Sequence, residues 1–134
     1  MKNIIIYVGI FFAKEEIKKI KKKNYGTPLE NDIKNKHVTI AFKPTEFDTS
    51  LFGEIVEVTI VGYGNNGKNE GVKVEIKSDN KILKSVNVPH ITLSVGNGGK
   101  PVDTGKLLFE DVSDKVTLKG KIGYFSPEGV KFHY

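Results

Sequence analysis

VPHITLSVG, residues 88–96, alternates as a strand does. Ile91, Leu93 and Val95 fall on one face, and His90, Thr92 and Ser94 on the other. An imidazole and a hydroxyl side by side on one face of an otherwise apolar strand call for a reason. NKHVTIAF, residues 35–42, repeats the arrangement, with His37 and Thr39 beside Val38, Ile40 and Phe42. Two of the chain's three histidines therefore carry a threonine two residues later, each inside an alternating run. If the two strands lie near each other in one sheet, four polar side chains line one cleft, and the alternate residues anchor it in the core.

The rest of the chain reads outward from these strands. Ile4 to Phe12 is β-branched and aromatic, which predicts a central strand rather than a signal peptide. AKEEIKKIKKKNYG changes to a helical period, with acids first, lysines last, and Gly26 and Pro28 as stops. Its lysine run, Lys21 to Lys23, reads as a solvated helix face. Strands are expected over 36–43, 54–63, 72–76 and 116–124, with VKFHY as a closing strand. GYGNNGKNEG, between the strands expected over 54–63 and 72–76, is expected to be a long hairpin loop. Residues 81–87 fit no single element, and a short helix is expected after Asp103 or Thr104. The fold class is α+β: one domain over residues 1–134, mostly antiparallel, with about seven strands and one or two helices.

Composition bounds the chemistry. The chain has 134 residues, 38% hydrophobic and 28% charged, as in a globular domain with a core of its own. With no cysteine, disulfides and thiolate metal sites are excluded. The net charge of +5 favours anionic partners, and every basic residue is a lysine. Phosphate would then be held without the guanidinium fork. No H-x-x-x-H pair and no G-x-S-x-G occurs. Gly62, Gly64 and Gly67 spell G-x-G-x-x-G, but a strand follows where a dinucleotide site needs a helix.

Two histidines and two hydroxyls on one face suit cleavage of a phosphodiester. One neutral imidazole takes a proton from the attacking oxygen, and one imidazolium gives a proton to the leaving oxygen. The threonine hydroxyls steady the phosphoryl oxygens. On this reading His37 and His90 are catalytic, and Thr39 and Thr92 bind phosphate. Lys100, at the end of GNGGKP, is a candidate phosphate contact, and Tyr124, with Phe125, a candidate stacking partner for a base. His133 is expected at the surface. The same groove could instead bind a nucleotide or RNA end without reacting with it, or the histidines could be ordinary strand residues that never meet.

HVTI and PHITL, proline included, resemble the paired motifs of the 2H phosphoesterase superfamily, which includes RNA 2′,3′-cyclic phosphodiesterases and the phosphodiesterase domains of tRNA ligases. The resemblance implies a two-lobed, pseudo-symmetric fold with the histidines facing across a groove. It implies a cytoplasmic, monomeric phosphodiesterase with no cofactor, no metal and no membrane, and an RNA terminus or small cyclic nucleotide as partner. It implies His37 as the acid on the leaving O3′ and His90 as the base for water. The short interval between the motifs leaves little room for a second long helix, a layout more like the compact tRNA-ligase-associated or RNA-repair branch.

Overall fold

The computed structural model describes residues 4–134; Lys2, which heads the N-terminal apolar run, lies outside the described residues. In chain order the elements are β1 (Tyr7–Phe11), α1 (Lys14–Lys23), β2 (Asn31–Asp32), β3 (His37–Phe42), β4 (Ile55–Asn65), β5 (Asn69–Lys77), α2 (Lys81–Lys84), β6 (His90–Val95), β7 (Glu110–Asp111), β8 (Thr117–Ser126) and β9 (Gly129–Lys131). Short 3-10 turns lie at Thr49–Leu51 and Pro101–Lys106. Six strands run in the order β4-β5-β6-β3-β1-β8, and a β4–β8 pairing closes them into a barrel. Every pairing is antiparallel. Closure leaves these six strands no free edge.

The α+β class with mostly antiparallel strands is observed. The N-terminal apolar run forms β1, paired with β3 on one side and β8 on the other. Helix α1 begins with Glu15 and Glu16 and ends in Lys21, Lys22 and Lys23, matching its dipole; Asn24 closes it in the left-handed conformation. Ile20 is its buried face, and the Glu16 carboxylate accepts the Lys119 backbone N–H, tying α1 to β8. That hydrogen bond holds the Glu16 carboxyl below its usual range. The expected long loop after β4 is a short turn instead. Gly62 and Gly64 belong to β4, and only Asn66, Gly67 and Lys68 turn the chain. The glycines of β4 serve close packing, because Phe109 and Leu107 approach them where side chains would otherwise stand. Residues 81–84 form a one-turn helix, and the short helix expected near residue 104 is the 3-10 turn at Pro101–Lys106.

The registers show an internal two-fold. Strand, helix, motif strand and long strand recur as β1-α1-β3-β4 and β5-α2-β6-β8. Phe11, Ile10 and Gly9 pair with His37, Val38 and Thr39; Lys73, Val72 and Gly71 pair with His90, Ile91 and Thr92. The two halves meet through the Val38–Ile91 rung on one side and the β4–β8 pairing, with Val58 opposite Leu118, on the other. All four of these residues are fully buried. The core draws on all six barrel strands, so it fills the barrel, and the alternate residues of β3 and β6 face outward. The resemblance implies two lobes; the strands instead close into one six-stranded barrel.

Each half carries the same irregularity. In β3 Ile40 is skipped by the pairing, and in β6 Leu93 is skipped. Both H-x-T motifs thus end in a β-bulge, which kinks the strand and re-aims the side chains beyond it. Opposite each threonine sits a glycine. A Cβ on Gly9 would stand 2.8 Å from the Val38 carbonyl oxygen, and one on Gly71 would stand 2.9 Å from the Ile91 carbonyl oxygen. We therefore expect Gly9→Ala and Gly71→Ala each to cost about 1–3 kcal/mol, as overpacked interiors do. Urea unfolding would read this as a lower midpoint; an unchanged midpoint for both variants would contradict the packing argument.

Candidate functional site

Val38 and Ile91 face each other on antiparallel strands. Continuing that register sets His37 across from Thr92 and Thr39 across from His90. In a regular antiparallel ladder those four positions form the corners of a rectangle, with the histidines on one diagonal. Such diagonal neighbours are spaced about 7–8 Å between backbones, near enough for two rings to reach one small anion. β3 and β6 share only this rung, and a cleft opens over it. His37, Thr39, His90 and Thr92 all line that cleft, which encloses about 630 Å³. The four residues singled out from the sequence are therefore brought together.

Both imidazoles are held in the same way. His37 Nδ1 donates to the Asn35 carbonyl at 2.7 Å, and His90 Nδ1 donates to the Val88 carbonyl at 2.8 Å. In each case the acceptor lies two residues upstream. The bond puts the neutral ring's proton on Nδ1 and leaves Nε2 with a lone pair. Two different devices present the two carbonyls. Before His37, buried Lys36 donates to the Ile33 carbonyl at 2.7 Å and pairs with Asp32 at 3.0 Å, clipping the turn that holds Asn35. Before His90, Val88 adopts φ +45°, a left-handed conformation that costs a β-branched residue strain, and Pro89 follows it.

The halves differ in what surrounds the rings. Tyr7 stacks on His37 with centroids 4.6 Å apart, Phe125 stacks on Tyr7 at 5.3 Å, and Phe11 lies 5.4 Å from His37. Burial in this aromatic setting pushes the His37 pKa below its ordinary 6.5; the Asn35 carbonyl opposes the shift, and the nearby His90 adds to it. His37 Nε2 also bonds Thr39 Oγ1 at 3.1 Å. Around His90 the neighbours are small and polar. Thr92 Oγ1 bonds Thr104 Oγ1 at 2.9 Å, and Asn69 Nδ2 donates to Thr104 Oγ1 at 3.0 Å. Gly105 lies against the ring, where a Cβ would stand 3.0 Å from Cε1.

Two other residues are placed elsewhere. Tyr124 is fully buried, and its hydroxyl donates to the His133 carbonyl at 3.1 Å, so it offers no face to a base. Its neighbour Phe125 lines the cleft instead, because adjacent strand residues point to opposite faces. Lys100 is not among the cleft residues; its carbonyl accepts from Asn69 at 2.7 Å. His133 is exposed, as expected. Tyr7, Asn69, Thr104 and Gly105 were not legible as site residues. Tyr7 alone left a trace, since it shares a strand face with Gly9 and Phe11. Thr104 and Asn69 reach the site through contacts across 12 and 35 residues of chain, which no local pattern encodes. Among the described residues no group of three or more His, Asp or Glu stands where it could hold a metal ion, and no helix is long and apolar enough to cross a membrane. No protein-family description matches the chain, and no curated protein matches it.

Burial of His37 has a consequence for stability. Its native pKa lies below its unfolded value of 6.5, so between the two the unfolded chain binds the extra proton. Above that window the residue costs nothing; as pH falls through it, stability is lost. We expect the urea midpoint to fall more steeply on acidification in the wild type than in His37→Gln. Parallel pH profiles would contradict this account of the ring's surroundings.

Proposed function

We propose that this chain is a phosphodiesterase that opens 2′,3′-cyclic phosphates, or related nucleotide or RNA-end phosphodiesters, by acid–base catalysis between His37 and His90. The observation that carries the reading is the antiparallel rung that puts two H-x-T strands side by side, with both imidazoles and both hydroxyls on one cleft wall. The resemblance to 2H phosphoesterases points the same way, and the internal two-fold agrees with the pseudo-symmetry it implies.

The roles follow from the environments, and they reverse the order that the resemblance implies. A general base must be neutral, and burial favours the neutral form of His37. His37 Nε2 takes a proton from water as the water oxygen attacks phosphorus. His90 gives a proton to the leaving ribose oxygen, so the ring opens to a phosphomonoester. The threonines answer to the charge. As His37 gains a proton, its Nε2–H donates to Thr39 and frees the Thr39 proton for a phosphoryl oxygen. Thr104 Oγ1 accepts from both Asn69 and Thr92, which fixes the Thr92 oxygen at the cleft wall, and the Thr92 hydroxyl turns from Thr104 to a phosphoryl oxygen when one is present.

The test is turnover of a nucleoside 2′,3′-cyclic phosphate in EDTA. His37→Ala and His90→Ala should each lower kcat by about 10²–10⁴, the usual worth of a general acid or base. Wild-type rates in either variant would remove that residue from the mechanism, and release of unchanged ligand by the wild type would leave a binding module only. On the acid side, kcat/KM should fall as His37 protonates, at a pH below the ordinary value of 6.5. An acid limb at or above that value would take the base role away from His37.

A further inference from the structure

Apart from its two histidines, the cleft is lined by uncharged residues. Among the described residues that line it there is no lysine, aspartate or glutamate, although the protein carries a net charge of +5. Its walls beyond the histidines and threonines are apolar or neutral. Tyr7 and Phe125 stack beside His37, Ile33 and Ile40 complete that side, and Phe42 and Val102 stand at the rim, 67% and 78% exposed. The nearest lysines stand outside the lining: Lys73 is paired across from His90 on β5, and Lys43 lies over the ring of Phe42. Farther off, Lys23 pairs with Asp114, and Lys21 and Lys22 are exposed on α1.

A groove that follows a nucleic-acid backbone needs cations along its length, with aromatic faces for successive bases. This cleft has the aromatic faces without the cations. Its volume suits one drug-sized ligand (about 300–1,000 Å³), not a run of nucleotides. The Pro101–Lys106 turn also flanks the second half-site, with Thr104 bonded to Thr92 and Gly105 against the His90 ring.

We infer that the cleft selects a singly charged cyclic phosphodiester of a free nucleoside, with a neutral 5′-hydroxyl, over a 5′-phosphorylated nucleotide or an RNA terminus. The inference rests on the phosphodiesterase reading and narrows it to a substrate class. The cyclic phosphate meets the two imidazoles and two hydroxyls, and the base lies along the Tyr7–Phe125 stack. Asn35 and Asn87 supply neutral carboxamides at the edge of the same cleft, where they can bond to a base. A second phosphate would have to rest against Val102, with no charged residue in the lining beside it, or against Phe42, whose ring Lys43 already engages.

The experiment compares kcat/KM for three substrates in EDTA: a nucleoside 2′,3′-cyclic phosphate, the same compound with a 5′-phosphate, and a short RNA ending in the cyclic phosphate. The first should lead each of the others by about tenfold or more, as an unpaired anion at an apolar wall demands. Between about 50 and about 200 mM salt its kcat/KM should change by less than about threefold, roughly what one released counterion gives. Exchanging Lys43 and Lys73, the lysines that flank the cleft, for serine should leave all three values within about twofold, since no lysine lines the cleft. Faster turnover of the RNA, or a steep salt dependence with loss of rate in the lysine variant, would overturn this inference and leave the phosphodiesterase reading intact. Turnover of none of the three would overturn both.

Discussion

The rung between Val38 and Ile91 joins the two halves of the barrel on the side that bears the site. Both residues are fully buried, so neither strand can slide without exposing core or driving a histidine inward. Because side chains alternate along a strand, fixing this one pair fixes the four polar residues that flank it. Slippage by one residue would turn all four to the other face. The rung is supported on both sides: β1 and β5 flank β3 and β6, and the glycine opposite each threonine lets the backbones close up. The bulges at Ile40 and Leu93 then bend both strands just past the motif.

The two-fold supplies a pair of matched frames, and the differences between the halves supply direction. Each imidazole hangs from a carbonyl two residues upstream, so each presents Nε2. One ring is packed in aromatic side chains and is held toward its neutral form. The other is flanked by a 3-10 turn and a chain of hydroxyls and an amide that ends at Asn69. Identical groups in unlike surroundings are what an acid–base pair requires. The same asymmetry sorts the proposed ligand, with the aromatic half taking the base and the hydroxyl-rich half closing behind the phosphate.

Much of this was legible from the sequence for a physical reason. Alternation is a local signal, so His37, Thr39, His90 and Thr92 announced their shared faces, and the helix over 14–23 announced itself by charge order and stops. Closure of the sheet was not legible, because the β4–β8 pairing joins residues some sixty apart and leaves no local mark. The bulges hid in plain alternation: Ile40 and Leu93 look like ordinary core positions until the partner strand is seen to skip them. The misplacement of Tyr124 has the same root. Both it and Phe125 are aromatic, and only the register of β8 against β1 tells which one faces the cleft. G-x-G-x-x-G misled in a smaller way, since Gly62 and Gly64 answer to the packing of Leu107 and Phe109 rather than to a loop.

The central claim is that the two imidazoles act on one phosphate as a unit. Its most direct test is the kcat of the His37→Ala, His90→Ala double variant set beside the two single variants. Groups that serve one transition state lose their effect together, so the double variant should fall no further than about the worse single variant. Losses that multiply, each histidine contributing its full factor in the absence of the other, would show two independent effects and contradict the account.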